Sequence, residues 1–216
     1  LVDRALERTL RTRFKLGMFD PDKDVPFASI STDVVASDAH RQLAYKAATE
    51  AVVLLKNQNN VLPIKPSTKK VFVTGPTATS VEVLLGNYYG FNNKMVTLLE
   101  GIVGRIPEGM GLEYTAGTPL KHAREIKESW APQMAQSADF AIVCAGFNSF
   151  LEGEEGESLL SAQNGDRESI SLPQSQIDYI KELAIHGARI ILVLTGGSPI
   201  ALGEVEDLVE AILFVW

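Results

Sequence analysis

Four short runs of the chain are almost entirely apolar, and none of them alternates with polar residues. They read KKVFVT near residue 70, FAIVCAG at 140–146, RIILVLTGG from residue 189 and AILFVW at 211–216. A strand that is apolar on both faces must be covered on both sides, which is typical of parallel sheets in α/β proteins. Amphipathic helical segments lie between these runs. The sequence therefore predicts a mostly parallel sheet with helices on both faces, an α/β sandwich, preceded by a helix and a linker.

The beginning of the chain is predicted to lie outside this sandwich. Apolar residues recur at helical spacing over residues 1–18, and FDPDKDVPFASISTD then shows no periodicity. Residues 1–36 are therefore predicted to be a terminal helix and linker, and residues 37–216 to be the α/β domain. Because the chain opens inside a helical pattern and stops inside an apolar run, we expect it to be a fragment of a longer protein.

Further helices are predicted inside the domain. Ser37 suits the N-cap of a helix that runs through SDAHRQLAYKAATEAVVLLKN, and Thr97 suits the N-cap of TLLEGIVGRI. The stretch HAREIKESWAPQMAQSA is also helical in pattern, with a kink or break expected at Pro132. Pro173 suits the first turn of PQSQIDYIKELAIHG, which ends at Gly187.

Composition and charge argue against several functional classes. The 216 residues carry a formal net charge of −7 with an isoelectric point near 5.1, which argues against nucleic-acid and anionic-membrane partners. No apolar run approaches the roughly 20 residues that span a bilayer. The single cysteine, Cys144, lies in a predicted strand and is expected to be a core residue. His40, His122 and His186 lack metal-ligand spacing, so no metal site is predicted.

Three loops follow predicted strands at their carboxyl ends, where parallel α/β sheets bind ligands. They contain TGPTATS, GFNSFLEGEEGE and TGGSPI. The first lacks the G-x-G-x-x-G spacing of dinucleotide-binding loops. The third offers backbone N–H groups to an anion, although a tight strand-to-helix turn is the simpler interpretation. The middle loop therefore carries the main functional prediction.

The middle loop runs from Phe147 to Ser169 and is crowded with carboxylates. Loops beyond about 12–15 residues in a compact domain are usually functional or disordered. This one carries Asn148 and Phe150, and its closing GDR contains Arg167, a partner for Asp166 or for one glutamate. Its glutamates are Glu152, Glu154, Glu155 and Glu157. Because crowded carboxylates cannot all ionise cheaply, one of such a set becomes a proton donor near neutral pH. The pattern alone leaves two interpretations open, a solvated loop and an acid site.

Several stretches together resemble the C-terminal α/β-sandwich domain of glycoside hydrolase family 3. They are HRQLAYKAATEAVVLLKNQNNVLPI, KKVFVTGPTATS, LLGNYYG, the EGEEGE loop with GDR, LPQSQIDYIKEL and IILVLTGGSPIAL, and they cover nearly the whole chain in order. The opening LVDRALERTLRTRFKLGMFD resembles the last helix and exit linker of the family's preceding (β/α)8 barrel. VLLKN, LLGNYYG and LEGEE look most like the β-xylosidase branch, and β-glucosidase members share much of them.

The resemblance implies a retaining exo-β-glycosidase that acts on terminal xylose or glucose with two carboxylates and no cofactor. The nucleophilic aspartate would lie on the barrel domain of the same parent chain, so this fragment alone is predicted to be inactive. This domain would supply the general acid/base glutamate to an oligosaccharide or aryl-glycoside substrate. Family members are often secreted or periplasmic.

The resemblance leaves two residues for the acid/base. Branch members with a Glu-x-Glu pattern, aligned from Leu151, point to Glu154, which we rank first. Reading back from the aspartate of GDR points to Glu155. The predicted substrate-binding residues are Glu152, Asn148, Phe150 and Arg167.

Two other functions are compatible with parts of the sequence. A non-catalytic carbohydrate-binding or scaffold domain would use Phe150, Tyr88 and Tyr89 as aromatic platforms. A nucleotide-binding α/β protein would need phosphate-cradling glycines, which are not at the required positions. Binding of sugars to the isolated chain would favour the first alternative over a glycosidase domain that holds half of its site.

Overall fold

The structure is a computed structural model that describes residues 1–90, 92–122, 129–153, 160–161 and 165–216. The chain forms two compact units, Leu1–Glu50 and Ala51–Trp216. The predicted division of the chain at residues 36 and 37 into a barrel remnant and a sandwich stays a prediction. Among the described residues, no helix is both long enough and apolar enough to cross a membrane.

The first unit is built on two helices. Helix α1 spans Val2–Lys15, and helix α2 spans Asp38–Ala51, so its last residue is the first of the second unit. The Ser37 hydroxyl accepts a hydrogen bond from the His40 N–H at 3.4 Å, which confirms the predicted N-cap.

The second unit is built on one six-stranded sheet. Its strands, in chain order, are β1 Val53–Asn57, β2 Lys70–Thr74, β3 Gly111–Thr115, β4 Phe140–Gly146, β5 Ile190–Thr195 and β6 Ala211–Phe214. Their order across the sheet is β1-β6-β5-β4-β2-β3. Only the β1–β6 pair is antiparallel, and every other neighbouring pair is parallel. The predicted mostly parallel sheet is therefore confirmed.

Both faces of the central strands are buried, because their successive side chains enter two different cores, whereas Val53, Leu54 and Leu55 of β1 are exposed. One core contains Phe72, Val143 and Leu192, and the other contains Val73, Ile142 and Val193. Helices α4, Ala131–Ser137, and α5, Gln174–Ile185, contribute to the first core. Helix α3, Leu98–Val103, packs against the second. The α/β sandwich with helices on both faces is therefore confirmed, and it explains why the central strands do not alternate.

The helix predicted to run through VVLLKN ends earlier than expected. Helix α2 stops at Ala51, and residues 53–57 form β1 instead. The β-branched pair Val52 and Val53 disfavours continuation of the helix. Antiparallel pairing with β6, in which Val53 lies opposite Phe214, supplies the backbone hydrogen bonds that the helix would have made. The prediction that the helix continues through residues 53–57 was therefore wrong.

The three later helices differ in how closely they follow the prediction. Thr97 caps α3 and Gly187, with φ +83°, follows the end of α5, as expected. Pro132 does not kink a helix, because α4 begins at Ala131 and Pro132 occupies its first turn, where no intrahelical N–H donor is needed. Residues 123–128 of that predicted helix lie outside the described residues.

Candidate functional site

A cleft of about 610 Å³ lies beyond the carboxyl ends of β4 and β5. Its lining includes residues 147–149 and 152–153 from the loop after β4 and residues 196–199 from the loop after β5. Residues 74–80, which form the predicted loop TGPTATS after β2, are all described, and none of them lines the cleft. Residues 82–87, which follow that loop, do line it. Two of the three loops predicted from strand ends therefore meet at one site, since parallel strands end at the same edge of the sheet.

The start of the loop after β4 is held close to β5. Gly146 has φ +125°, and a Cβ atom at this position would lie 2.0 Å from the Thr195 carbonyl oxygen. Only glycine fits this approach, because any side chain would collide with the neighbouring backbone. The next residue, Phe147, donates its N–H to the same Thr195 oxygen at 2.9 Å. The loop therefore leaves the sheet at a defined position.

A glutamine of α5 supports the same turn from the core. Gln176 is 1% exposed, and its Oε1 accepts a hydrogen bond from the Gly146 N–H at 2.7 Å. Its Nε2 donates to the Gly146 carbonyl at 2.9 Å and to the Leu120 carbonyl at 2.7 Å. One buried side chain thus satisfies both backbone groups of the last residue of β4.

Two apolar side chains anchor the first turn of the loop in the core. Phe147 and Leu151 are 4% and 5% exposed, and both belong to the core shared with α4 and α5. The guanidinium of Arg167 lies over the Phe147 ring, with Cζ 3.8 Å from the ring centroid. Phe147 is therefore a core residue whose ring supports the guanidinium of Arg167.

Glu152 and Arg167 form a polar network with the loop after β5. Arg167 Nη2 lies 3.1 Å from Glu152 Oε1, so the arginine pairs with a glutamate, one of the two predicted partners. Glu152 Oε1 also accepts a hydrogen bond from the Ser198 hydroxyl, and Oε2 accepts one from the Gly197 N–H at 2.8 Å. Arg167 Nη2 donates to Ser198 Oγ and, at 3.1 Å, to the Pro199 carbonyl. Arg167 Nη1 is buried and has no hydrogen-bond partner among the described residues.

The other two predicted substrate-binding residues lie at different places. Asn148 is half-buried and lines the cleft, where its Oδ1 accepts the Phe150 N–H at 3.2 Å. Phe150 is 40% exposed and is not among the residues that line the cleft. The structure therefore brings Asn148, Glu152 and Arg167 together at the cleft, with Phe150 beside them in the chain.

The predicted acid/base residues, Glu154 and Glu155, lie outside the described residues, as does Glu157. Gly153, which directly precedes Glu154, is buried and lines the cleft. The last described residue before the acidic segment therefore lies in the lining of the cleft.

The charged groups of the cleft have both signs. Glu82 lines it, and the Ser80 hydroxyl, which donates to Glu82 Oε2 at 2.7 Å, is the main reason that the pKa of this carboxyl is lowered.

Burial raises the pKa of the Cys144 thiol to about 12, so this side chain is a neutral core residue, as predicted. No group of three or more metal-ligating side chains occurs within the described part of the chain.

Comparison with known proteins identifies the family of the chain. The sequence model of the glycosyl hydrolase family 3 C-terminal domain matches residues 52–216. The chain belongs to this family. The matched region contains the whole sheet and both loops of the cleft.

Similar proteins include xylosidases and glucosidases. A probable exo-1,4-beta-xylosidase of Neosartorya fischeri is 33% identical over 206 residues, which are 95% of this chain and 24% of that protein. A solved GH3 exo-beta-xylosidase in complex with a xylobiose aziridine activity-based probe superimposes with a TM-score of 0.74 at 30% identity, covering 89% of this chain and 24% of that one. A GH3 beta-glucosidase of Bifidobacterium adolescentis gives a TM-score of 0.71 at 26% identity, covering 88% and 26%. The chain thus spans about a quarter of the length of the relatives it matches.

Two parts of the cleft of this family 3 domain were not predicted, and the role of a third was underestimated. TGGSPI was interpreted mainly as a turn, yet its Gly197 N–H binds an anion, the carboxylate of Glu152. Trp216 lines the cleft, and its Nε1–H donates to the Ala51 carbonyl at 2.8 Å. Trp216 was detectable in principle, because it follows β6, whose carboxyl end lies at the same edge of the sheet as those of β4 and β5. Residues 82–87 overlap LLGNYYG, which carried the family resemblance and was not used to place the cleft.

Proposed function

We propose that this chain is the acid/base-bearing domain of a retaining exo-β-glycosidase that acts on terminal β-linked xylose or glucose. The observation that carries the proposal is the origin of the acidic loop at the end of β4, inside a cleft of about 610 Å³. Such a cleft is within the usual size range of small-molecule sites. Membership of the family and the names of the xylosidase and glucosidase relatives support the reaction class.

The proposed reaction needs two carboxyl groups on opposite sides of the glycosidic bond. A glutamic acid of this domain protonates the leaving oxygen while an aspartate of a separate barrel domain attacks the anomeric carbon. The resulting glycosyl ester is hydrolysed when the glutamate, now ionised, removes a proton from the attacking water. We assign the glutamate role to Glu154, with Glu155 as the alternative.

The remaining site residues differ in their capacity to bind a sugar. Asn148 faces the cleft, and the exposed Phe150 follows it by two positions in the chain, so we propose both as substrate contacts. Glu152 and Arg167 line the cleft too, but most of their hydrogen-bonding groups are engaged with protein atoms. Arg167 Nη1 has no hydrogen-bond partner among the described residues, so we propose it as a donor to a carboxylate of the acidic loop.

The acid/base assignment is tested by Glu154→Ala and Glu155→Ala in the full parent enzyme. Removal of a general acid/base typically lowers turnover by about 10²- to 10⁴-fold. We expect this loss in one variant, and we expect azide to restore turnover of an activated aryl glycoside, because azide attacks the glycosyl ester without needing a base. Two fully active variants would refute the assignment.

The proposed dependence on a barrel domain is tested with the isolated chain. We expect no hydrolysis and weak or no binding of xylo- and gluco-oligosaccharides by calorimetry, because the nucleophile and part of the sugar site are elsewhere. Tight binding would instead favour the carbohydrate-binding alternative, with the exposed Tyr88 and Tyr89 as platforms.

A further inference from the structure

The ion pair between Glu152 and Arg167 joins two ends of the acidic segment. Glu152 precedes Glu154 by two positions, and Arg167 lies at the far end, in GDR. The two side chains nevertheless meet, with 3.1 Å between Arg167 Nη2 and Glu152 Oε1. The pair therefore brings together the two ends of the segment, at residues 152 and 167.

Glu152 and Arg167 are also attached to the loop after β5. Both carboxylate oxygens of Glu152 accept hydrogen bonds from the segment after β5, from Ser198 and from the Gly197 N–H. Arg167 reaches the same segment through Ser198 and the Pro199 carbonyl. The side chains of Glu152 and Arg167 are 18% and 10% exposed, so this network is largely shielded from water. Exposed ion pairs contribute little, whereas breaking a shielded pair leaves an uncompensated charge.

We propose that Glu152 and Arg167 are positioning residues that clamp the acidic loop to the segment after β5 and so aim its proton donor. The inference rests on the proposed function, because it assigns a role relative to the acid/base glutamate. The occupied oxygens of Glu152 favour this role over direct sugar binding, since a sugar hydroxyl would have to compete with Ser198 and Gly197. Fixed attachment of the loop matters because small displacements of a reacting group lower reaction rates steeply.

The clamp is tested by comparing two substrates in the full parent enzyme. An unactivated aryl or alkyl β-glycoside needs protonation of its leaving group, whereas a 2,4-dinitrophenyl β-glycoside does not. For Glu152→Gln and Arg167→Met we expect kcat/KM to fall roughly 10- to 100-fold on the first substrate. On the second we expect a change of less than about threefold, because its first step does not use the acid. Retained activity on the second substrate also shows that the variant is folded.

Two further variants separate positioning from other roles. Arg167→Lys keeps the charge but loses the planar guanidinium that lies over Phe147 while Nη2 reaches its acceptors, so we expect it to be as impaired as Arg167→Met. The double variant Glu152→Gln/Arg167→Met should be no worse than the more damaging single variant, because both changes open the same clamp. Full activity in Arg167→Lys, or losses that multiply in the double variant, would overturn the proposal.

A control ion pair, more exposed than the clamp, lies at the opposite edge of the sheet. Arg189 pairs with Glu210 through two contacts of 2.7 and 2.9 Å and lies over the Phe140 ring, as Arg167 lies over Phe147. Arg189→Met should leave both substrates unaffected. Equal losses on the two substrates for the Glu152 and Arg167 variants would overturn the clamp and indicate a sugar contact or a folding defect.

The same assay distinguishes failure of the clamp from failure of the proposed function. If Glu154→Ala or Glu155→Ala shows the leaving-group dependence and the Glu152 and Arg167 variants do not, only the clamp is refuted. If neither Glu154→Ala nor Glu155→Ala shows it, the proposed function is refuted and the clamp with it.

Discussion

At the scale of single residues, the site depends on side chains that never reach the cleft surface. Gln176 is the clearest case, because it is fully buried and makes three hydrogen bonds, two of them to Gly146. An apolar residue at this position would leave the strand-end N–H and carbonyl groups without these partners. A buried group without a partner loses the full free energy of its hydration.

Replacement of this glutamine should therefore destabilise the domain. We expect Gln176→Leu to lower the free energy of unfolding by about 2 to 4 kcal/mol, since at least two buried backbone groups lose their partner. The measurement is urea unfolding followed by circular dichroism. Gln174→Leu is the matched control, because Gln174 is exposed on the same helix and bonds only the side chain of Asp178 in the described structure. Equal stability of the two variants would contradict the assigned role of Gln176.

At the scale of elements, helix α3 shows how a short segment is held without a buried residue of its own. The Thr97 hydroxyl accepts the Glu100 N–H at 3.3 Å, and the Glu100 carboxylate accepts the Thr97 N–H at 2.7 Å and the Thr97 hydroxyl at 2.8 Å. This reciprocal capping box satisfies donors that the first turn leaves open. Because the Thr97 N–H and hydroxyl favour the ionised carboxylate, they lower the pKa of Glu100.

The capping box predicts a pH-dependent contribution to stability. A lowered pKa in the folded state means that Glu100 stabilises the fold above the ordinary glutamate pKa, and that this contribution is lost as the pH falls through the lowered value. Thr97→Ala should lower the free energy of unfolding by about 1 kcal/mol near neutral pH. The difference between Glu100→Gln and the parent chain should shrink between neutral pH and about pH 3. Unfolding curves at the two pH values test this, with exposed Glu108→Gln as the control.

At the scale of the whole molecule, the central strands of the second unit's sheet are covered on both faces by the two hydrophobic cores. Ile180 is 0% exposed in the core between α5 and the sheet, whereas Ile185, at the end of the same helix, is 83% exposed. The two residues have the same side chain in the same element and differ in burial. They provide a direct measure of what the core contributes.

Truncation of these two isoleucines should therefore have very different effects. We expect Ile180→Ala to lower the free energy of unfolding by about 2 to 5 kcal/mol, because apolar contacts are lost and a cavity remains. Ile185→Ala should change it by less than about 0.5 kcal/mol. Chemical denaturation of both variants provides the test, and similar losses would mean that α5 is not packed as described.

Sequence patterns predicted the sheet well because their signals are local. The apolar runs of β4, β5 and β6 each identify a buried strand without reference to the rest of the chain. The same reasoning failed at VLLKN, where neighbouring helical residues suggested a helix and pairing with β6 decided for a strand. The competing information lay far away in the sequence.

The amino-acid sequence by itself determined the sandwich and the place of the acidic loop, because hydrophobic periodicity and the rule for parallel strand ends need only short segments. Only the tertiary structure decided which partner Arg167 takes, that Gln176 holds the end of β4, and that Gly197 and Ser198 receive Glu152. The physical reason is that hydrogen bonds and ion pairs depend on atomic distances between residues that the fold brings together. Spacing along the chain does not encode those distances.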